Sequence, residues 1–215
     1  MRPIIFITGI GTGVGKTIIS AIVTEALRAD YCKPVQAGIE DMTDTALVQS
    51  LITNSHSNIH PEAYRLKLAA SPHIAAREEG VKIRVADLVE YISGLPQNTN
   101  RPLIVEGAGG LLVPINENET ILDLIIALNA SVIIVSRNYL GSINHSLLTA
   151  KVLQQKNVHI TGWIFNDQFM DYENEISAWT NIPKLGSVPL AIAADKDFVF
   201  EQAGILRSTL EIALT

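Results

Sequence analysis

Short apolar runs rich in β-branched residues alternate along this chain with longer segments whose apolar positions recur every three or four residues. The runs at 4–8, 31–34, 103–106, 132–135, 161–165 and 185–188 are continuously apolar rather than alternating, the pattern of strands buried on both faces. Helical spacing covers 17–28, 44–51, 85–92, 121–128, 143–156, 172–179 and 198–212. Strands separated by helices require right-handed crossovers, so the expected architecture is α/β, a mostly parallel sheet flanked by helices on both faces. No repeat, low-complexity tract or linker divides it, and residues 1–215 read as a single domain. The least regular stretch is 53–82. Within it Ser71-Pro72 has the form of an N-cap followed by proline at the first helical position. Such an excursion is either plain loop or the lining of a substrate site, and both readings stay open.

Composition narrows the partners. With 47% hydrophobic and 18% charged residues the chain of 215 residues is a compact folded protein. Its net charge of −6 argues against a general nucleic-acid binder, which needs a basic surface. Cys32 is the single cysteine and cannot form an internal disulfide, so a buried, inert thiol in a reducing compartment is expected. The segment ahead of the first glycine loop is too short for a signal peptide, and the longest apolar run is broken by Asp123, Asn129 and Ser131. A cytoplasmic protein with no membrane or nucleic-acid partner is the expectation.

The first strand leads into "TGIGTGVGKTIIS". A dinucleotide fingerprint fails here, because its last glycine falls on Val14 or Lys16. The phosphate-binding loop G-x-x-x-x-G-K-[ST] keeps Gly15, Lys16 and Thr17 but finds Ile10 where its first glycine belongs; Gly9 lies one residue further out. The context of strand, loop and helix is nonetheless the required one, and Gly9, Gly11 and Gly13 supply backbone freedom. Backbone N–H groups at a helix start bind phosphate oxygens. Lys16 would reach the β and γ phosphates from a solvated crevice, and the Thr17 hydroxyl would meet Mg²⁺. A P-loop nucleotide fold follows.

Ligands of open parallel sheets bind beyond the carboxyl ends of the strands. Glu106 ends the strand read at 103–106 and is followed by a glycine turn, which points it into that crevice. Asp44 opens a helix, where it is either a metal-side carboxylate or a first-turn acid, with Thr43 competing to cap. Lys33 stands before Pro34 at another strand end, either solvated or a second cation facing the phosphates.

After "TGVGKT" the motifs "KPVQAG", "SPHIAA", "VEGAGGLLVPI", "LGSINHSLLTA" and "GWIFND" follow in order. Together they closely resemble the dethiobiotin synthetase family, over a span from Ile4 to about Pro189. That family also has the longer glycine spacing, so Gly9 fits it. The resemblance implies an ATP- and Mg²⁺-dependent ligase of biotin biosynthesis that closes a cyclic urea from 7,8-diaminononanoate and CO₂. One amine takes up CO₂ as a carbamate, the carbamate attacks the γ-phosphate, and the second amine expels phosphate from the mixed anhydride, leaving dethiobiotin, ADP and phosphate.

It also implies residue roles. Lys16 and Lys33 would be the catalytic cations, and Thr17, Asp44 and Glu106 the Mg²⁺ shell. Gly13, Val14, Gly15 and Ile18 would surround the nucleotide, with Gly107, Ala108 and Gly109 in the crevice. Asn166 and Asp167 would stand on the adenine side and Pro189 and Leu190 would close over the base. Thr12 and Ala37 would face the substrate. Gly141, Ser142, Ile143 and Asn144 would receive its carboxylate from the partner subunit of a homodimer. Two positions depart from the family: Gly13 where many members have an acid, and Ala37 where they have a hydroxyl residue.

His56, His60, His73, His145 and His159 show no metal spacing; His145 reads as interface packing and His73 as part of a substrate-side helix. Trp163 and Trp179 read as core or interface aromatics. The alternative reading is a switch ATPase of the chromosome-partitioning or cell-division-placement kind, whose additional lysine would fall at Gly11. A third is a cobyrinate-type synthetase domain, which would call for a glutaminase Cys-His pair and a longer chain.

Overall fold

The structure is a computed structural model that describes residues 2–96, 101–167, 170–191 and 193–214. The chain runs β1 (Ile4–Gly9), α1 (Lys16–Leu27), β2 (Asp30–Cys32), β3 (Val35–Ala37), α2 (Asp44–Leu51), β4 (Ile59–His60), β5 (Tyr64–Leu66), α3 (Pro72–Glu78) and α4 (Val85–Gly94). It continues through β6 (Leu103–Gly110), α5 (Ile121–Ala127), β7 (Ser131–Arg137), α6 (Ser142–Gln155), β8 (Ile160–Asn166), α7 (Glu173–Thr180), β9 (Lys184–Val188) and α8 (Lys196–Ala213). Among the described residues the main sheet has seven strands in the order β4-β2-β6-β1-β7-β8-β9, every recorded pairing parallel. Consecutive residues Ile5, Phe6 and Ile7 of β1, and Ile133 and Ile134 of β7, are all buried. Neighbours along a strand point to opposite faces, so both faces are covered by helices. The helices pack in groups, α1 with α2 and α8, α4 with α5 and α6 with α7.

The expected strands lie where the sequence suggests, most within one or two residues at each end, but two depart in a way that matters to the site. The strand expected at 31–34 ends at Cys32, and the chain re-forms as β3, which leaves the main sheet to pair with β5. Pro34 has no N–H to give a ladder, which favours the break. The strand expected to stop at Glu106 instead runs to Gly110, because Gly9 pairs with Gly110 after a register shift beyond Ile7. The irregular stretch 53–82 holds β4, β5 and α3. Ser71 is indeed the N-cap of α3 with Pro72 following, but its hydroxyl makes no capping bond.

Cys32 is buried, and burial first, then the nearby Glu62 carboxylate, push its thiol up to about 12, which leaves it inert. Trp163 lies in the core and donates to Thr180 Oγ1 at 3.1 Å, whereas Trp179 is exposed. No helix among the described residues is long and apolar enough to cross a membrane.

Glu25, buried on α1, ties that helix to the chain leaving α2. It accepts hydrogen bonds from Thr53 N (2.7 Å), Thr53 Oγ1 (2.9 Å), Asn54 N (3.2 Å) and Asn54 Nδ2 (3.0 Å). Burial alone would raise its pKa, but these four donors hold it below the ordinary carboxylate range. A folded pKa below the unfolded one adds stability above the unfolded value, and that contribution disappears as pH falls through the folded value. Glu25→Gln is therefore expected to cost about 1.5–3 kcal/mol at neutral pH. Urea unfolding across pH should show the gap between variant and native protein closing below about pH 5.

Candidate active site

The loop between β1 and α1 explains its own spacing. Ile10 continues the main-chain pairing, its N–H donating to Val135 O at 3.1 Å, and its side chain is buried. Val14 is buried as well, and a Cβ at Gly9 would meet Val14 Cγ2 at 2.6 Å. Glycine is thus required at 9, where Val14 packs, while position 10 can carry an apolar side chain. Gly15 caps α1 with φ 88°, a left-handed conformation that favours glycine, and a Cβ there would lie 2.0 Å from Asn166 Nδ2. Asn166, at the end of β8, donates to Val14 O at 3.0 Å. The amide therefore braces the loop from β8, two strands away from β1 in the sheet.

Beyond the strand ends lies a cleft of about 660 Å³, lined by the glycine loop, Lys33, Gln36, Asp44, Glu106 and residues 69–72. The stretch at 53–82 therefore contributes to the cleft wall. Lys16 opens α1 but is only 7% exposed, so the expected solvated lysine is in fact enclosed, its Nζ donating to Gly11 O at 3.0 Å. Its pKa is lowered to about 8: burial is the main cause, Glu106 and Asp44 oppose it and Lys33 adds to it.

The second lysine is also enclosed. Lys33, 5% exposed, donates to Glu106 Oε1 at 3.0 Å and to Asp44 Oδ2. Burial alone would lower its pKa, but those two carboxylates raise it, so it stays an ammonium. The solvated alternative for Lys33 is excluded. Asp44 is likewise pulled below its usual value: burial raises it, and Lys33 with the Thr17 hydroxyl more than compensates. Thr43 is the cap of α2, accepting from Ala46 N at 3.2 Å, which leaves the Asp44 side chain to face the cleft. Thr17 Oγ1 lies 2.8 Å from Asp44 Oδ1 and 3.0 Å from Glu106 Oε1. One hydroxyl and two carboxylates converge here, oxygen donors of the kind a hard divalent cation takes. Their charges are offset by an ammonium, so the residues fit Mg²⁺. No group of three or more His, Cys, Asp or Glu side chains suited to a metal occurs among the described residues.

Comparison with known proteins places this arrangement. Residues 4–196 match the AAA domain family. The chain is 53% identical over 161 residues to ATP-dependent dethiobiotin synthetase BioD of Cytophaga hutchinsonii, covering 75% of each protein. It is 41% identical over 197 residues to the protein of the same name from Christiangramia forsetii, covering 92% of this chain and 89% of that one. The chain belongs to the dethiobiotin synthetase family and is an enzyme. Among solved structures it resembles the cell division ATPase MinD of Pyrococcus furiosus, with a TM-score of 0.64, 17% identity and 99% of each chain covered. A putative plasmid partition protein of Borrelia burgdorferi bound to AMPPNP gives a TM-score of 0.61 at 14% identity over 99% of each chain. At such identities the likeness is one of fold alone.

Among the residues the synthetase resemblance singles out, Thr12, Gly13, Gly15, Ile18, Ala37, Ala108 and Gly109 line the cleft with Lys16, Thr17, Lys33, Asp44 and Glu106. Gly13 adopts φ 73° with open space where a side chain would stand. Gly107 faces inward instead; a Cβ there would meet Phe6 Cε1 at 2.8 Å. Asn166, at the end of β8, touches the glycine loop; Asp167 follows it and accepts from Arg137 Nε at 3.3 Å and Nη2 at 3.2 Å. Pro189 and Leu190 follow β9 directly, and Leu190 is exposed. Gly141, Ser142, Ile143 and Asn144 open α6 and are not among the residues lining this cleft. The Ser142 hydroxyl is turned inward, bonded to Tyr139 N (3.2 Å) and Tyr172 Oη (2.7 Å). His145 contacts the Tyr139 hydroxyl through Nδ1 at 2.7 Å, and His73 lies on α3.

Two residues near the chemistry had no role assigned from sequence. Gln36 accepts from Asp44 N at 3.3 Å and donates to Gly38 O at 2.9 Å, tying β3 to the start of α2. Tyr31 donates to Glu106 Oε2 at 2.9 Å. The period-two alternation that puts Lys33 in the crevice puts Tyr31 on the same side, and that signal was available in the sequence.

Gly15→Ala tests the brace between the loop and β8. The added methyl group collides with Asn166 and strains a left-handed backbone, so ATP-analogue affinity should fall at least ~10-fold, the equivalent of 1–2 kcal/mol of strain. Far-UV circular dichroism should show the sheet and helices retained, with fluorescence titration reading the loss.

Proposed function

We propose that this enzyme closes the cyclic urea of dethiobiotin, consuming 7,8-diaminononanoate, CO₂ and ATP and releasing ADP and phosphate. The observation that carries the reading is an enclosed Lys16 on the phosphate loop, beside a second enclosed lysine, Lys33, that meets two carboxylates shared with the Thr17 hydroxyl. The reaction joins one anion, a carbamate, to another, a triphosphate, so its main needs are positive charge and positioning. One substrate amine adds to CO₂ and loses a proton. The carbamate oxygen then displaces ADP from the γ-phosphorus, giving a carbamic-phosphoric anhydride. The second amine attacks the carbonyl carbon, the C–O bond to phosphate breaks, and a proton leaves as the ring closes.

In this reading Lys16 and the loop N–H groups bind the triphosphate, and Lys33 offsets the charge shared by carbamate and phosphoryl group. Thr17, Asp44 and Glu106 hold Mg²⁺, which neutralises phosphate oxygens when bound. Asn166 and Asp167 with Pro189 and Leu190 form the base side, where the orientation of Asn166 suits an adenine edge. Thr12 and Ala37 lie on the substrate side, the Ala37 N–H standing in for the missing hydroxyl. The substrate's far carboxylate is received at the start of α6, residues 141–144, from a second subunit. This gives a homodimeric cytoplasmic enzyme that fits in a single domain and engages neither nucleic acid nor membrane.

Phosphate release should be slow with ATP alone and rise sharply when diamine and bicarbonate are both present, with cyclic urea formed in step. Lys33→Gln should bind ATP but lose at least about 100-fold of the stimulated rate, since one preorganised cation at a developing anion is worth that much. No stimulation and no urea would overturn the assignment and favour a switch ATPase.

A second set of measurements addresses metal and assembly. Asp44→Asn and Glu106→Gln should each raise the Mg²⁺ concentration needed for half-maximal rate. Light scattering should give a dimeric mass at concentrations where the enzyme is active; a monomer with full activity would remove the role of residues 141–144.

A further inference from the structure

Tyr31 is completely enclosed in the sheet, and its hydroxyl donates not to a main-chain carbonyl but to a carboxylate, Glu106 Oε2, at 2.9 Å. The register explains how they meet. Tyr31 pairs with Ile104 across β2 and β6, so Glu106, two residues beyond Ile104, lies on the same face as a diagonal neighbour. The other carboxylate oxygen, Oε1, lies 3.0 Å from both Thr17 Oγ1 and Lys33 Nζ. The two ends of this carboxylate are therefore divided, one held by the core and one presented to the cleft.

The terminal torsion of glutamate has a broad, roughly two-fold profile, so nothing intrinsic to the side chain determines which way its oxygens point. Glu106 is 1% exposed, so its partners in the protein set the orientation. We propose that Tyr31 is a positioning residue: by engaging Oε2 it orients Glu106 so that Oε1 alone is offered to the divalent cation beside Thr17 and Asp44. The inference rests on the reading of Glu106 as a metal-side carboxylate. Tyr31 touches neither nucleotide nor substrate in this scheme and acts only through Glu106. Partners that orient a metal-binding side chain from behind commonly contribute 10- to 100-fold in metal affinity, and about that effect is expected here.

The test uses the full-length protein and Mn²⁺ as the probe, followed by electron paramagnetic resonance in the presence of a non-hydrolysable ATP analogue. Tyr31→Phe keeps the ring and removes the donor. It should weaken Mn²⁺ binding about 10- to 100-fold and leave the affinity for the analogue in EDTA unchanged, a split that general loosening of the core would not produce. Glu106→Gln serves as the reference. Weakened Mn²⁺ binding in Glu106→Gln but not in Tyr31→Phe overturns the role of Tyr31 and leaves the metal assignment standing. Unchanged binding in both overturns the metal assignment and this inference together. A second readout needs no substitution: with [¹³Cζ]tyrosine in the native chain, one tyrosine resonance should shift on Mg²⁺ titration with the midpoint of metal binding. The absence of any responding resonance would overturn the proposal even if Tyr31→Phe fails to fold.

Discussion

Glu106 is a carboxylate in a strand covered on both faces, where an unpartnered charge would cost several kcal/mol. A phenol, a hydroxyl and an ammonium reach it from three other elements, β2, the start of α1 and the chain just after β2. Satisfying this one group draws the strand order, the phosphate loop and the second lysine into one arrangement. β2 and β1 flank β6 in the sheet, so both neighbours deliver their carboxyl ends beside the same side chain. The break after Cys32 serves the same arrangement: the chain carrying Lys33 leaves the sheet at the level of Glu106 and then pairs elsewhere as β3.

The electrostatics of the site depend on that shared burial. Lys33 keeps its proton although enclosed, because two carboxylates outweigh desolvation, while Lys16, with weaker compensation, is drawn down to about 8. The two lysines are therefore not equivalent cations. One belongs to a network closed within the protein, and the other arches over its own loop to a main-chain carbonyl. A buried network of this sort has many partners to lose at once, and it holds its groups in a defined geometry before any ligand arrives.

The loop shows how local packing can disguise a motif. Its first glycine stands one place further out because Val14 and Ile10 turn inward and fill space beneath it. What the chemistry needs, left-handed backbone at Gly15 and a helix beginning at Lys16, is preserved. Asn166 shows a related economy, since the same amide that stands at the end of β8 also supports the loop.

The sequence by itself determined the α/β alternation, the parallel sheet and the phosphate loop, and it singled out Lys16, Thr17, Lys33, Asp44 and Glu106, which the fold brings to one cleft. Hydrophobic runs and short spacings are local, so they survive in one dimension, and the run of family motifs extended the reading to most of the chain. Whether Asp44 or Thr43 caps α2, whether Lys33 is solvated, and whether the stretch at 53–82 is wall or mere loop were decided only by tertiary structure. Each depends on which side chains from distant segments arrive at the same place. The same holds for Lys16, enclosed rather than solvated, and for β3, which pairs with a strand too short to announce itself. Burial and charge compensation are sums over neighbours far apart in the chain, 89 positions between Thr17 and Glu106 and 152 between Val14 and Asn166. Such sums come into being only when the chain folds.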